Sequence, residues 1–175
     1  MPGVQDTATG QSGRFGFWVV LAAALAVSAC SSARPEPPVA GPFLQCVPFA
    51  RSESGVQIRG DARTWWKQAE GRYVRGNAPK PGAVLVLRAD GRLPDGHVAV
   101  VSDIHDSRTI SVDHANWGWN SQTRGRVYRS MPAVDVSANN DWSEVRFKHP
   151  AVGAFGRPYP AHGFIYRQTS VASLP

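Results

Sequence analysis

Read for the alternation of apolar and polar positions, the chain changes character several times. Residues 15–29 are an unbroken apolar run behind Arg14, and residues 31–42 show no periodicity at all. From Cys46 to about Ser52 the pattern predicts the first turns of a helix; Pro48 suits a first turn because its missing N–H would be unpaired there anyway. Residues 61–70 predict a second helix, with Asp61 as N-cap, Ala62, Trp65 and Ala69 on one face, and Gly71 as its end. Trp65 and Trp66 at this spacing read as core. After Gly71 the period shortens. The turn Pro79-Lys80-Pro81-Gly82 leads into a short buried strand over 83–87, Asp90-Gly91 makes another turn, and residues 96–101 form the next strand. Residues 109–116 alternate as a half-buried strand, 118–125 are irregular and polar, and 144–147 and 163–166 predict two later strands. Helices first and consecutive short strands afterwards predict an α+β domain, with N-terminal helices packed on an antiparallel sheet.

Composition bounds this picture. A chain of 175 residues has room for one domain plus an export segment, and 42% apolar residues with six Trp and seven Phe suffice for an ordinary core. The formal net charge of +6 is spread out, with no run of adjacent Lys or Arg and no nucleic-acid motif. It predicts a solvated basic surface that meets cell-wall polymer or membrane, not nucleic acid. Nothing in the sequence specifies an oligomeric state.

The apolar run 15–29 is short of the roughly 20 residues that a membrane span needs. Its positive flank and small terminal residues fit a secretory signal. Val27-Ser28-Ala29-Cys30 resembles the bacterial lipobox, which implies that Cys30 is lipidated and becomes the mature N-terminus. Ser31 follows it where Asp would imply retention at the inner membrane. The expectation is an exported protein anchored in the cell envelope, at the periplasmic face of the outer membrane; plain secretion is the alternative. Residues 1–29 are then signal, 30–42 a lipidated Cys with a Pro-rich tether, 43–167 the globular domain, and 168–175 a tail.

With Cys30 consumed, Cys46 is left as a lone thiol in an exported protein, and a catalytic nucleophile is the proposed reason. A thiolate attacks, so its pKa must be lowered, which the start of a helix promotes. His97 opens a strand behind Gly96 and is the candidate base. Along 109–116, period 2 sends Ile110, Val112, His114 and Asn116 to one face and Asp113 to the other. His114, assisted by Asn116, is therefore the candidate to accept the Nδ1–H of His97 and fix its tautomer; Asp113 has the better charge but needs a bulge to reach.

Gln45-Cys46, Gly60-Asp61-Ala62 with Trp65, Pro81-Gly82-Ala83-Val84, Gly96-His97-Val98-Ala99-Val100-Val101 and His114-Ala115-Asn116-Trp117 occur in an order and spacing that resemble the CHAP family. These are cysteine- and histidine-dependent amidohydrolases/peptidases that cleave peptidoglycan. The resemblance implies a papain-like (CHAP/NlpC-type) fold, Cys46 as nucleophile, His97 as base and no cofactor. The family usually has Glu two residues before the Asn, where this chain has His114; the related NlpC type uses a His as third polar residue. Gln45 matches the family's residue before the Cys and is a candidate oxyanion donor beside the Cys46 N–H. Trp117 and Trp119 are candidates to stack on sugar or peptide, or else to close the core. The implied reaction hydrolyses the muramoyl–L-alanine amide or a bond of the stem or cross-bridge through a thioester. Three alternatives remain open: a non-catalytic wall-binding lipoprotein, a zinc site built from Cys46, His97 and His114, and a Cys30–Cys46 disulfide in unlipidated protein.

Overall fold

The computed structural model describes residues 44–167. The expected signal over 1–29, the expected lipidation site Cys30, the expected tether up to residue 42 and the expected tail 168–175 lie outside the described residues. Two short helices, Cys46–Ser54 (α1) and Trp65–Gln68 (α2), precede seven strands: Val74–Gly76 (β1), Val84–Leu87 (β2), His97–Ile104 (β3), Thr109–Ala115 (β4), Val127–Asp135 (β5), Glu144–Phe147 (β6) and Tyr159–Tyr166 (β7). The antiparallel sheet runs β1-β7-β2-β3-β4-β5-β6, and β6 pairs back onto β7 through Glu144↔Pro160 and Val145↔Tyr159. That pairing closes β7, β2, β3, β4, β5 and β6 into a six-stranded barrel, with β1 appended on β7. None of the described helices is long and apolar enough to cross a membrane.

The expected α+β, papain-like arrangement of helices on an open sheet is overturned by this closure. Its missing piece is β5, whose alternation is hidden by Pro132 and by a bulge. Between Val112↔Met131 and His114↔Tyr128 the register slips, so Arg129 and Ser130 both stand opposite Asp113. Beyond the bulge Met131, Ala133 and Asp135 turn inward in strict alternation. The second helix also differs from expectation: residues Ala62–Thr64 form a 3-10 turn, only Trp65–Gln68 is α-helical, and Asp61 makes no side-chain cap. The faces were nonetheless read correctly, because Ala62, Trp65 and Ala69 are all buried.

Two apolar clusters follow from period 2. Leu85, Leu87, Ala99, Val101, Ile110, Val112, Met131, Ala133, Phe147 and Phe164 fill the barrel. Val84, Val86, Val98 and Val100 point outward and are covered by Ala50, Val56, Ile58, Ala62 and Trp65 from the helical layer. β2 is thus buried on both faces, which explains its unbroken Val-Leu-Val-Leu. Each such side chain contributes about 1.5–3 kcal/mol by leaving water. Cys46 packs at the edge of the outer cluster.

Candidate active site

Cys46 is the first residue of α1, and Gln45 before it is extended (φ −88°, ψ 153°) with no side-chain cap. The amides at this helix start are therefore free to face the sulfur. Burial raises the thiol pKa most; the backbone N–H groups of Val98, Val47 and Cys46 itself oppose it, and the Asp95 carboxylate adds to the rise, leaving the thiol above its ordinary value. Val98 is available because of a split in the sheet. The β3–β4 register starts at Val100↔Asp113, so the first residues of β3 have no partner in β4. The start of α1 occupies that gap, tied on its other side by Leu44 N–H to the Gly125 carbonyl at 3.0 Å.

The corner that launches β3 accepts only glycine. Gly96 has φ +68°, and a Cβ there would lie 2.8 Å from the Arg63 backbone nitrogen. Arg63 is held in place by its N–H to the Asp95 carbonyl at 2.7 Å. The glycine ahead of His97 thus has a specific cause: the 3-10 turn presses against it.

His97 and His114 flank the split, one on each strand, and their rings meet inside the barrel. His97 Nε2 lies 3.0 Å from His114 Nδ1. The nitrogen engaged is Nε2, not the Nδ1 expected from sequence, which leaves Nδ1 free of the pair. His114 Nε2 in turn faces the Met131 sulfur at 3.2 Å. A thioether only accepts, so the proton of His114 belongs on Nε2; Nδ1 then accepts from His97 Nε2–H, and the lone pair of His97 is left on Nδ1. Both rings are buried, His97 at 3% and His114 at 0% exposure. Burial pushes His97 down to about 3. Burial likewise holds His114 well below the ordinary imidazole range, with the neighbouring His97 and His149 adding to it. Both imidazoles and the Cys46 thiol therefore rest neutral.

Asn116 does not assist His97. Its Oδ1 accepts from Gly125 N–H at 2.9 Å, which fixes the amide so that Nδ2 donates to Gln45 Oε1 at 2.7 Å. Gln45 is thereby oriented with its own NH2 group unclaimed among the described residues. Asn116 pays for this with a left-handed backbone (φ 61°). Asp113 lies on the opposite face, accepting from Arg129 Nη1 at 2.8 Å and from the freed Ser130 N–H of the bulge at 2.7 Å. Arg129 also binds Glu53 at 2.9 Å, so Asp113 works through Arg129 to clamp α1 to the barrel.

Trp117 is both core and wall: only 9% exposed, it packs 4.7 Å from the His97 ring and against Phe147 and Tyr159, yet it lines a cavity of about 510 Å³. Trp119 is 61% exposed on the same cavity. A second cavity of about 300 Å³ is lined by Gln45, Cys46, Asp61, Asp95 and Gly96. The Gln45–Asn116 bond joins the two, Gln45 lining one and Asn116 the other. Sequence reasoning missed Asp95, Met131, Arg92, Arg124 and His149 at the site. Only Arg124 carried a signal, its place in the irregular loop 118–125. Among the described residues no group of three His, Cys, Asp or Glu side chains converges as a metal-binding set; the rings of His97 and His114 are turned to each other instead.

No curated protein matches the chain. The family model of the CHAP domain matches residues 37–116, a span that contains Cys46, His97, His114 and Asn116. The family is generally hydrolytic on peptidoglycan, and over residues 37–116 this chain is similar to the CHAP domain family.

Proposed function

We propose that the chain hydrolyses a peptide amide of peptidoglycan by acyl transfer through Cys46. His97 Nδ1 takes the thiol proton as sulfur attacks the carbonyl carbon. The oxyanion is met by the Cys46 N–H and by the unclaimed NH2 of Gln45. Collapse breaks the C–N bond, the leaving amine takes the proton from His97, and a thioester remains. Water then attacks the thioester carbon and gives a proton to His97. The carboxylic acid departs, and the proton returns to the Cys46 sulfur. His114 holds His97 in the tautomer with Nδ1 unprotonated.

The observation that supports this reading best is the directed chain from Met131 through His114 to His97, which leaves one basic nitrogen free at the strand start against which Cys46 is packed. Release of new amino groups from purified peptidoglycan tests it: the wild-type chain releases them and Cys46→Ala does not. Equal release by both, or none by either, would overturn the assignment. We also propose that Cys30, outside the described residues, carries the lipid anchor that holds the domain at the envelope; the mass of the mature N-terminal peptide decides between lipidation and plain secretion.

A further inference from the structure

The two cavities that meet at the Gln45–Asn116 bond differ in sign. Among the described residues the larger is lined by Arg92 and Arg124 and by no carboxylate. Arg92 is committed: it binds Asp90 at 3.1 Å and the Pro158 carbonyl at 2.9 Å while lying over the Tyr159 ring at 4.9 Å. Arg124 is anchored only by Nε, which donates to the Gly118 carbonyl at 3.3 Å, and among the described residues its two Nη groups have no partner. A guanidinium fixed by Nε with both Nη groups open presents the fork that a carboxylate fills.

A second, independent feature marks the same cavity. His149 is only 6% exposed, and its Nδ1 accepts from Ala151 N–H at 3.1 Å, so its proton sits on Nε2. Among the described residues that buried N–H has no hydrogen-bond partner. Burial lowers the His149 pKa, and the Trp117 backbone partly offsets this. Trp119 lies tilted against the same ring, with centroids 4.9 Å apart and planes at 57°. The smaller cavity has the opposite character, with Asp61 and Asp95 beside the thiol. Asp61 is paired with Arg63 at 3.2 Å, whereas among the described residues the Asp95 carboxylate has no cation.

We propose that the larger cavity seats a carboxylate-bearing part of the wall peptide on Arg124, and that the smaller takes an ammonium group on Asp95. The chain then selects charge-separated peptide over the neutral amide that joins glycan to peptide. An acceptor oxygen entering beneath Trp119 also satisfies the His149 N–H. This assignment rests on the hydrolase reading for its choice of peptide, but its test does not need turnover.

The test is binding to the full chain carrying Cys46→Ala, followed by titration calorimetry with three synthetic stem tetrapeptides: one with free carboxylates and a free amine, one with its carboxylates amidated, and one N-acetylated. The free peptide binds about five- to tenfold tighter than the amidated one, as one charge-assisted pair provides. Arg124→Ala brings that ratio towards one and Arg124→Lys partly restores it. N-acetylation weakens binding similarly, and Asp95→Asn removes the difference. Equal binding of the three peptides, absence of binding, or ratios unchanged by Arg124→Ala and Asp95→Asn would overturn the proposal. Digestion of peptidoglycan by wild type reads the hydrolase assignment separately: selective binding without digestion sinks that assignment alone, and digestion without selective binding sinks this one alone.

Discussion

His97 and His114 share one hydrogen bond, Nε2 to Nδ1 at 3.0 Å, and behind His114 stands the Met131 sulfur at 3.2 Å, not a carboxylate. Among the described residues no carboxylate therefore backs an imidazolium at His97 through His114. Burial raises the Cys46 thiol and holds His97 down to about 3, so the pair rests uncharged at neutral pH. Alkylation of Cys46 by iodoacetamide is expected to accelerate steadily into the alkaline range. A rate plateau between about pH 5 and 7, the mark of a preformed thiolate–imidazolium pair, would contradict this.

The same burial links stability to pH. His97 binds its proton near 6.5 when unfolded and only near 3 when folded. Below about 6.5 the unfolded chain therefore takes up a proton that the folded chain refuses. The stabilisation is complete above that pH and is lost as pH falls towards 3, by several kcal/mol at roughly 1.4 kcal/mol per unit. His114, His149 and His162 are lowered by burial in the same direction. Melting temperatures from pH 7 down to 4 should fall steeply in wild type and less so in His97→Gln, with the remaining slope owed to the other three. Identical slopes would remove His97 from the linkage.

Substitutions at His114 separate tautomer control from packing. His114→Ala removes the acceptor for His97 Nε2–H and opens a hole among Trp117, Tyr128 and Phe147. A fall in kcat of about 10²-fold or more is expected, the scale of a misdirected base. His114→Gln keeps an acceptor and should retain more activity at similar stability. His114→Glu places a charge behind His97, raises its pKa, and should restore a thiol reactive at neutral pH. An alkylation profile in His114→Glu that matches wild type would show that the charge does not reach the base.

Much of the site was legible because it is local. Cys46 at a helix start, His97 behind a glycine and His114 on the inward face of β4 all follow from spacing, and burial bears out that face of β4 for Ile110 and Val112. The barrel was not legible, because closure depends on pairings between distant segments. Pro132 and the Arg129-Ser130 bulge disguise β5, and Pro160 disguises the start of β7, the two strands that β6 joins. Period 2 reports which face is buried and says nothing of what covers it. For the same reason the Arg129 clamp on Asp113 and Glu53 was invisible: its members lie far apart in sequence.

Asn116 is expected to act through Gln45, not through His97. Asn116→Ala loses the bonds to Gln45 and Gly125 and must still adopt φ 61°. A stability loss of about 1–3 kcal/mol is expected, with lower kcat. Asn116→Gly loses the same bonds without the backbone cost, so it should be more stable than Asn116→Ala and about equally impaired in catalysis. Chemical denaturation beside turnover checks both limbs. A normal kcat in Asn116→Gly would mean that Gln45 needs no orienting.

Gly96 ties the helical layer to the base. An alanine there meets the Arg63 nitrogen at 2.8 Å and the Leu87 carbonyl at 3.1 Å, in a backbone at φ +68°. Both neighbours are backbone, so neither can swing aside as a side chain would. Relief requires moving the Ala62–Thr64 turn off the corner or rotating the start of β3, and the second displaces His97 from His114. Gly96→Ala should therefore lower stability by about 2 kcal/mol or more, the cost of a strained left-handed residue plus the lost Arg63–Asp95 contact. It should also slow Cys46-dependent hydrolysis even where the protein remains folded. Gly91→Ala, in open space a few residues earlier, serves as the control and should change neither. A Gly96→Ala protein that melts like wild type would show that the 3-10 turn can yield, and that it does not set the position of His97.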